Sequence, residues 1–296
     1  LKNSSPSAIP HSMLESGYEI VALKSGVNSL RRLDNLETFH PGIGPIAEAK
    51  ILHVDQHQLA RRAARPGKLI VWDVGLGAGA NAIAAIEELK HSIADVEIHS
   101  FDQTKQALQF ALEHADTLDY PSAYSEAIST LLRQHEVVVH PKLKWILHLG
   151  DFREQMLRGN LPNPHSVFYA PYSPSSNIEM WTLEHFEKLR TRLGDGTPYL
   201  MTNYTRSTIV RVTWLLAGFA VGIGSTIGEK EETTIASNRL SALALPLQKS
   251  WLERVKISHS SAPLRGSNYA IAPISDDDFM SLQDLPQIRY HKTLAP

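Results

Sequence analysis

Apolar and polar residues alternate with two different periods along most of this chain. Short apolar runs typical of buried strands are separated by segments in which apolar residues recur every three or four positions, as in amphipathic helices. The strand-like runs cover residues 69–73, 96–101, 144–149, 166–169, 198–203, 219–223 and 233–237. The helical patterns cover residues 46–64, 80–89, 105–115, 122–133, 177–193, 207–217 and about 246–255. This alternation predicts a mostly parallel sheet with helices on both faces.

The two ends of the chain depart from this alternation. Residues 18–23 and 28–33 flank Ser25-Gly26 and predict a β-hairpin, and the last two strand-like runs predict an antiparallel pair joined near Gly228. The expected architecture is α/β and Rossmann-like: a seven-stranded, mostly parallel sheet with an antiparallel C-terminal edge strand, plus an N-terminal hairpin extension. The expected division is a disordered lead over 1–17, the hairpin and helix extension over 18–66, a cofactor-binding domain over 67–240, and a C-terminal helix and tail over 241–296 that wraps the domain or is loose.

A glycine-rich turn follows the first strand of the predicted sheet. The strand ends at Asp73, and Gly75, Gly77 and Gly79 precede an Ala-rich helical pattern. Glycines let the backbone approach a ligand closely, so strand, acid, glycine turn and helix indicate a nucleotide-like cofactor. Dinucleotide sites use G-x-G-x-x-G, whereas the spacing here is G-x-G-x-G, which favours S-adenosylmethionine over NAD.

Carboxylates also end the next two strands. Asp102 follows the second strand, where a carboxylate can accept hydrogen bonds from ribose hydroxyls. Asp151 follows the third strand, where an acceptor can meet an adenine amino group. We expect all three acids at the carboxyl edge of the sheet, where open α/β folds bind ligands. Each of them can alternatively be a surface carboxylate that caps a turn.

Composition excludes several classes of protein. The 296 residues include no cysteine, which excludes disulfides, thiolate zinc sites and a cysteine nucleophile, and which fits a cytoplasmic location. The sequence contains no uninterrupted apolar run of ~18 residues, which is the length that would predict a membrane span. A net charge of −2 argues against a uniformly basic protein that coats nucleic acid. Local basic clusters remain available, or are ordinary solvated helix faces: Arg61, Arg62, Arg65 and Lys68; Arg206 and Arg211; Lys249, Arg254, Lys256 and Arg265.

Other chemistry has little support in the sequence. His53 and His57 lie four residues apart on a predicted helix, but no third ligand or His-Glu-x-x-His motif accompanies them, so we expect no metal. No G-x-S-x-G motif indicates a hydrolase.

In the glycine turn and in several other motifs, the chain resembles the methyltransferase domain of the MnmC family. Members of this family are bacterial enzymes that methylate 5-aminomethyl groups on the wobble uridine of tRNA. It resembles even more the stand-alone members without the partner oxidase domain. The match covers roughly residues 36–266. The matching positions are Glu37, His40, Gly44 and Glu48; Asp73, Gly75, Gly77, Gly79 and Asn81; Ser100 and Asp102; Gly150 and Asp151; Phe168, Ser173, Pro174, Asn177, Met180 and Trp181; Val210 and Arg211; Ala217, Gly218 and Phe219; and Pro263 and Arg265.

The resemblance implies a class I methyltransferase fold, S-adenosylmethionine as cofactor, tRNA as partner and no membrane association. The positions it assigns to the cofactor are Asp73, Gly75, Gly77, Gly79, Asn81, Asp102, Gly150, Asp151, His40 and Glu48. Those it assigns to the acceptor are Tyr172, Ser173, Asn177 and Arg211, with Tyr172 also the expected catalytic contact. Tyr172 can alternatively be a packing residue, His40 and Glu48 can be caps, and Met180 and Trp181 are expected to pack rather than to bind. A monomer is expected.

Two positions depart from the family pattern. Ala170 and Pro171 stand where the family has Asp and Gly, and that Asp lies beside the transferable methyl group. Ala170-Pro-Tyr172 is instead similar to the [D/N]-P-P-Y turn of amino methyltransferases. The family's basic pair after the A-G-F strand becomes Lys230-Glu231. The expected function is therefore N-methylation of an aminomethyl group on the wobble uridine. The alternative is a cofactor-binding paralogue that has another substrate or is catalytically degenerate.

Overall fold

The computed structural model describes residues 17–228 and 231–289. The predicted lead falls almost entirely outside this part of the chain, as do residues 229 and 230 and the last seven residues. The strands are β1 (Tyr18–Ala22), β2 (Asn28–Arg32), β3 (Lys68–Val74), β4 (Asp95–Asp102), β5 (Glu136–His140), β6 (Leu143–Leu149), β7 (Ser166–Tyr169), β8 (Leu200–Asn203), β9 (Ala220–Gly224) and β10 (Thr233–Ser237).

The helices lie between these strands and after them. They are α1 (Pro45–Ala49), α2 (Leu59–Ala63), α3 (Ala80–Leu89), α4 (Gln106–Glu113), α5 (Ala115–Leu118), α6 (Ser125–Gln134), α7 (Phe152–Gln155), α8 (Leu183–Leu193), α9 (Thr208–Leu216), α10 (Trp251–Ile257), α11 (Asp276–Asp284) and α12 (Pro286–Arg289). A π-helical turn over Lys50–Asp55 joins α1 to α2, and shorter 3₁₀ turns cover Ser122–Tyr124, Ile178–Met180 and Leu240–Ala242.

The main sheet has the order β5-β6-β4-β3-β7-β8-β10-β9. Strands β6, β4, β3, β7 and β8 are parallel neighbours, whereas β5 and β10 run antiparallel to the strands beside them. This confirms the Rossmann-like α/β class and the antiparallel pairing of β9 with β10. The antiparallel strand β10, however, lies inside the edge, between β8 and β9. The separate hairpin β1–β2 is also confirmed.

The sheet has eight strands in place of the expected seven because β5 adds an antiparallel edge strand. Its sequence, Glu136-Val-Val-Val-His140, is only five residues long, and Val138 is exposed. The run has no alternation of apolar and polar residues, so its pattern did not separate it from the end of the preceding helix.

The segment expected as one helix over 46–64 is broken twice. The chain winds as a π-helix over Lys50–Asp55 and then takes a left-handed conformation at Gln58, with φ of +51°. The spacing of the apolar residues does not reveal such a change in winding, because each helical turn still places its apolar side against the sheet.

Two apolar layers cover the faces of the sheet. Successive residues of a strand point to opposite faces, so Trp72 packs against α8 and α9 while Val71 packs under α3. The C-terminal helices close the first layer: Gln287 accepts a hydrogen bond from the Val221 N–H at 2.9 Å and donates to the Val221 carbonyl. The tail therefore wraps the sheet as far as residue 289, one of the two outcomes expected from the sequence.

Candidate cofactor and acceptor cavity

A cavity of about 470 Å³ opens at the carboxyl ends of β3, β4, β6 and β7. Open α/β sheets bind their ligands at this edge. Residues of the hairpin β1–β2 and of the following loop line the cavity as well, among them Tyr18, Arg32 and Phe39. The predicted site residues that line it are His40, Glu48, Gly75, Gly77, Asn81, Asp102, Gly150, Tyr172, Ser173 and Asn177, together with Ala170.

Close packing explains the glycines of the turn after β3. Gly75 has φ of +88°, and a Cβ placed there would lie 2.5 Å from the carbonyl oxygen of Ala170. Gly77 has φ of +53°, and its Cβ would lie 3.0 Å from the Phe39 ring. Both positions therefore require glycine, for backbone conformation and for space. The turn is held between the strand-end turn at Ala170 and the loop that carries Phe39.

Asp102 is held at the end of β4 by backbone donors. Its Oδ2 accepts the Gly77 N–H at 2.9 Å, and its Oδ1 accepts the Thr104 N–H at 3.2 Å. Burial raises the pKa of Asp102, and these N–H groups act in the opposite direction. The carboxylate is thus fixed at the cavity wall, in the position from which strand-end acids bind ribose hydroxyls.

Asp73 lies beneath the cavity rather than on its wall. It is fully buried, and its Oδ2 accepts the Ser100 hydroxyl at 2.8 Å. Burial raises the pKa of Asp73 to about 7, and the Ser100 hydrogen bond partly offsets this effect. The structure therefore makes Asp73 a support under the glycine turn.

The loop after the hairpin is organised by two of the predicted cofactor residues. His40 Nε2 lies 3.1 Å from the Asn81 Oδ1 at the start of α3. Glu48 is buried in α1 and accepts the Ile43 N–H at 3.1 Å and the Gly42 N–H. Glu48 therefore shapes the loop as a backbone acceptor, in line with the expected alternative of a cap.

The turn over residues 170–173 is fixed by its neighbours. The Tyr204 hydroxyl donates to the Pro171 carbonyl at 3.0 Å, and the Trp181 indole donates to the Tyr172 carbonyl at 2.8 Å. Trp181 is fully buried, so the expectation that it packs rather than binds agrees with its position. The turn is consequently a rigid part of the cavity wall.

The hairpin orients the side chain of Tyr172. The Arg32 guanidinium carbon lies 4.9 Å from the centre of the Tyr172 ring, a cation–π distance, and the Phe39 ring centre lies 5.6 Å from it. Burial raises the pKa of Tyr172, and the nearby Tyr18 adds to the effect. Tyr172 is thus a neutral phenol between the hairpin and the strand-end turn.

Glu37 joins the hairpin side of the cavity to the turn, a role that the motif match did not reveal. Its carboxylate accepts the Ser173 N–H at 3.2 Å and the hydroxyls of Ser173 and Ser176. Further along the same wall, the Asn177 amide nitrogen lies 3.0 Å and 3.2 Å from the Glu179 oxygens in its better orientation. The E-x-x-H spacing singled out Glu37, but only the fold shows its partners.

Besides Asp73, three further predicted site residues do not reach the cavity wall. Gly79 lies at the start of α3, and Asp151 caps α7 while its carboxylate pairs with Arg153, whose hydrogen bond lowers the pKa of Asp151. Arg211 is 1% exposed, and it donates to the Thr233 carbonyl and pairs with Glu232 at 2.9 Å. These contacts direct the Arg211 side chain toward β10 and away from the expected acceptor site.

Each of the three basic clusters contains residues that pair with acids. Ion pairs join Lys68 to Glu97, Arg206 to Glu231, Arg254 to Glu232 and Arg265 to Asp278. In the described part of the chain, no group of three or more His, Asp or Glu side chains is arranged to hold a metal ion. The same residues include no helix long and apolar enough to cross a membrane.

Comparison with known proteins identifies the class of cofactor. A family model described as S-adenosyl-L-methionine-dependent methyltransferase matches residues 120–239. This segment contains α6, the six strands β5 to β10 and the turn at 170–173. The chain is an S-adenosylmethionine-dependent methyltransferase. The match and the cavity agree, since the matched segment supplies one wall and the glycine turn after β3 supplies the other.

Proteins similar in sequence to this chain include MnmC proteins, so this methyltransferase is MnmC-like. It is 27% identical over 203 residues to the tRNA 5-methylaminomethyl-2-thiouridine biosynthesis bifunctional protein MnmC of Pseudomonas fluorescens (strain Pf0-1), covering 62% of this chain and 29% of that protein. The MnmC protein of Pseudomonas putida (strain F1) is 28% identical over 204 residues, covering 63% and 30%. The chain thus spans less than a third of the length of these curated relatives.

A solved structure shows the same fold. The crystal structure of MNMC2 from Aquifex aeolicus superimposes with a TM-score of 0.68 at 24% identity, covering 92% of this chain and 86% of that one. The two chains therefore share their fold over most of their length.

The residues at the cavity fit the cofactor. The glycine turn leaves space that a Cβ would fill, and Asp102 is presented from the neighbouring strand end. Four acidic side chains, Glu37, Glu48, Asp102 and Glu179, line the cavity together with the guanidinium of Arg32. A ligand that carries a sulfonium and an ammonium group suits this predominance of carboxylates.

Proposed function

We propose that this methyltransferase N-methylates an aminomethyl group on the wobble uridine of tRNA. The observation that carries the proposal is the rigid Ala170–Ser173 turn beside the glycine turn, in one cavity with Asp102. When bound, S-adenosylmethionine supplies an electrophilic methyl group on sulfur. The curated MnmC relatives are named for tRNA 5-methylaminomethyl-2-thiouridine biosynthesis, which supports the choice of acceptor.

We assign the cofactor to the glycine-turn side of the cavity. Asp102 holds the ribose hydroxyls, and Gly150 borders the adenine. Gly75 and Gly77 let the backbone of the turn contact the cofactor closely. Asn81, held by His40, faces the remaining part of the ligand. Asp73 acts through the turn that it supports, and Glu48 acts through the loop of residues 40–44.

We assign the acceptor to the opposite wall. Tyr172 presents a neutral ring held by Arg32, and Ser173 and Asn177 present polar groups next to Glu37 and Glu179. Alignment of an amine with a methyl donor lowers the barrier without any acid–base residue, because it removes the entropic cost of bringing the two together. A tRNA substrate carries with it the cytoplasmic location expected from the sequence.

Labelled methyl transfer tests this function. We expect incorporation of label from S-adenosylmethionine into tRNA isolated from a strain that lacks wobble-uridine methylation, and none into fully modified tRNA. Asp102→Asn is the matched variant: it removes the charge of an acceptor for ribose hydroxyls, and charged hydrogen bonds contribute about 1.5–3 kcal/mol. Calorimetry should therefore show S-adenosylhomocysteine binding that is weaker by roughly 10-fold to 100-fold.

The alternative is a cofactor-binding paralogue with another acceptor, or a degenerate one, and the observation that favours it is Ala170 at the family's Asp position. This alternative predicts retained S-adenosylhomocysteine binding but no label in hypomodified tRNA. A wild type that is inactive but revived by Ala170→Asp would support degeneracy, whereas an active wild type would show that the acid is dispensable.

A further inference from the structure

Two buried histidines converge on one threonine behind the acceptor wall. His53 Nδ1 lies 2.7 Å from the Thr202 Oγ1, and His57 Nε2 lies 2.9 Å from the same oxygen. Both imidazoles are fully buried. The π-helical turn over Lys50–Asp55 carries His53 across the end of β8, and π-helical turns are frequent at functional sites.

The hydroxyl of Thr202 sets the protonation of both rings. A hydroxyl has one proton, so it donates to one imidazole nitrogen and accepts an N–H from the other. Among the described residues, His53 Nε2 and His57 Nδ1 have no hydrogen-bond partner. One of these two outer nitrogens therefore carries a proton while the other presents a lone pair.

Only His53 belongs to the cavity wall. It lines the cavity with Ala170, whereas His57 does not. The His53 ring stacks on Phe168 with ring centres 4.6 Å apart. Ala170 follows two residues later and continues the strand, since its N–H donates to the Val74 carbonyl at 2.8 Å. Side chains two residues apart on a strand share a face, so His53 and Ala170 border the same part of the cavity.

Building on the proposed function, we propose that His53 contacts the acceptor directly: its Nε2 accepts an N–H of the amine and directs the nitrogen lone pair toward the methyl group. In this arrangement His53 Nδ1–H donates to Thr202, whose hydroxyl donates to His57 Nε2. Thr202 and His57 are then positioning residues that hold the tautomer. The His53 imidazole thus takes the role toward the amine that the family's carboxylate at position 170 would have.

The surroundings of His53 keep it an acceptor at neutral pH. Burial lowers the pKa of His53 well below 6.5, and the positive charge that His57 or His40 would carry lowers it further. Burial likewise lowers the pKa of His57, with the charge of Arg62 acting in the same direction. A neutral imidazole with its Nδ1 protonated has one free lone pair, which is the group that the amine requires.

Nitrogen NMR tests the contact without turnover. The protein labelled with ¹⁵N-histidine and saturated with S-adenosylhomocysteine is titrated with free 5-aminomethyluridine, with uridine as the control that lacks the amine. The His53 signals are assigned by their absence in His53→Phe. We expect the aminomethyl nucleoside alone to shift the unprotonated Nε2 signal of His53. Equal responses to both nucleosides, or none, would overturn the proposal.

Methyl transfer tests the consequence. His53→Phe keeps a ring against Phe168 but removes both nitrogens, and His53→Gln is the second variant should the first fold poorly. We expect kcat to fall at least 10-fold while S-adenosylhomocysteine affinity stays within 2-fold. Ala170→Asp should restore activity to the His53→Phe protein by more than it changes the wild type. Thr202→Val should lower kcat less and abolish the single-tautomer signature of His53.

The outcomes separate the two proposals. Activity on tRNA that is unchanged in both His53 variants would overturn the role of His53 and leave the proposed function standing. A wild type that is inactive on tRNA, but whose His53 signal responds to 5-aminomethyluridine alone, would overturn the tRNA function and support the amine contact.

Discussion

Gly75→Ala tests how closely the glycine turn must approach the acceptor wall. The added Cβ would lie 2.5 Å from the Ala170 carbonyl oxygen, 2.8 Å from its carbonyl carbon and 3.0 Å from the Cα of Pro171. All three are backbone atoms, and the hydrogen bonds of β3 with β7 hold them in place. The substitution therefore has to push the two strand ends apart rather than move one flexible side chain.

Two costs add at this position. An alanine at φ of +88° costs roughly 1–2 kcal/mol in backbone strain, and overpacking in a well-packed region costs roughly 1–3 kcal/mol more. We expect the free energy of unfolding to fall by about 2–5 kcal/mol. Because both strand ends line the cavity, S-adenosylhomocysteine should also bind at least 10-fold more weakly, which corresponds to about 1.4 kcal/mol.

Gly26→Ala is the matched control, since Gly26 has φ of +82° and nothing lies within 4 Å of its Cβ position. It carries the strain without the clash and should cost only about 1–2 kcal/mol. Urea unfolding gives both free energies, and calorimetry gives the affinities. If both variants lose the same stability and both keep the wild-type affinity, the close approach of the turn to Ala170 has no energetic consequence.

Three further predictions concern groups around the cavity. Arg211→Met removes the buried partner of Glu232, which keeps its pairing with Arg254, so we expect a loss of about 1.5–3 kcal/mol in urea unfolding but unchanged turnover per folded molecule; a selective loss of turnover would instead support a substrate contact. The pKa of Asp73 is raised to about 7 from an ordinary value near 3.8, so the folded protein holds a proton that the unfolded chain releases. The wild-type stability relative to Asp73→Asn should therefore fall by up to ~1.4 kcal/mol per pH unit between pH 4 and 7 and level off above, and a difference independent of pH would contradict this. Glu37→Gln weakens the acceptor of the Ser173 N–H, so amide exchange over residues 173–177 should quicken about 10-fold or more; unchanged exchange would show that Glu37 does not hold the turn.

The placement of Gly75 and Asp102 was accessible from the sequence because it depends on short-range rules. Gly75 follows β3 and Asp102 ends β4, and the carboxyl ends of parallel strands meet at one edge. The same reasoning fails for Arg211. Helix α9 is buried on nearly all sides, so no apolar stripe indicates which of its residues face the cavity. A motif match gives the position of an arginine along the chain but not the direction of its side chain.

The contribution of the hairpin was not accessible for a different reason. The alternation of residues 18–33 predicts the two strands and their turn, but nothing local indicates what the hairpin packs against. Arg32 reaches Tyr172 across 140 positions of the chain, and Glu37 reaches Ser173 across 136. The pairing of His53 and His57 with Thr202 is equally remote, so their i, i+4 spacing did not reveal that both are buried against one hydroxyl.

The charges at the cavity wall also separate the classes of cofactor considered for the glycine turn. Glu37, Glu48, Asp102 and Glu179 face the cavity, and Arg32, whose guanidinium is engaged with Tyr172 and Asp34, is the single arginine or lysine among the described lining residues. A dinucleotide would bring a pyrophosphate toward these carboxylates, whereas a sulfonium and an amine are both attracted by them. The phosphates of a nucleic-acid backbone would be repelled for the same reason. If the proposed function is correct, we therefore expect the wobble nucleotide to enter with its aminomethyl group leading and its phosphates left at the rim.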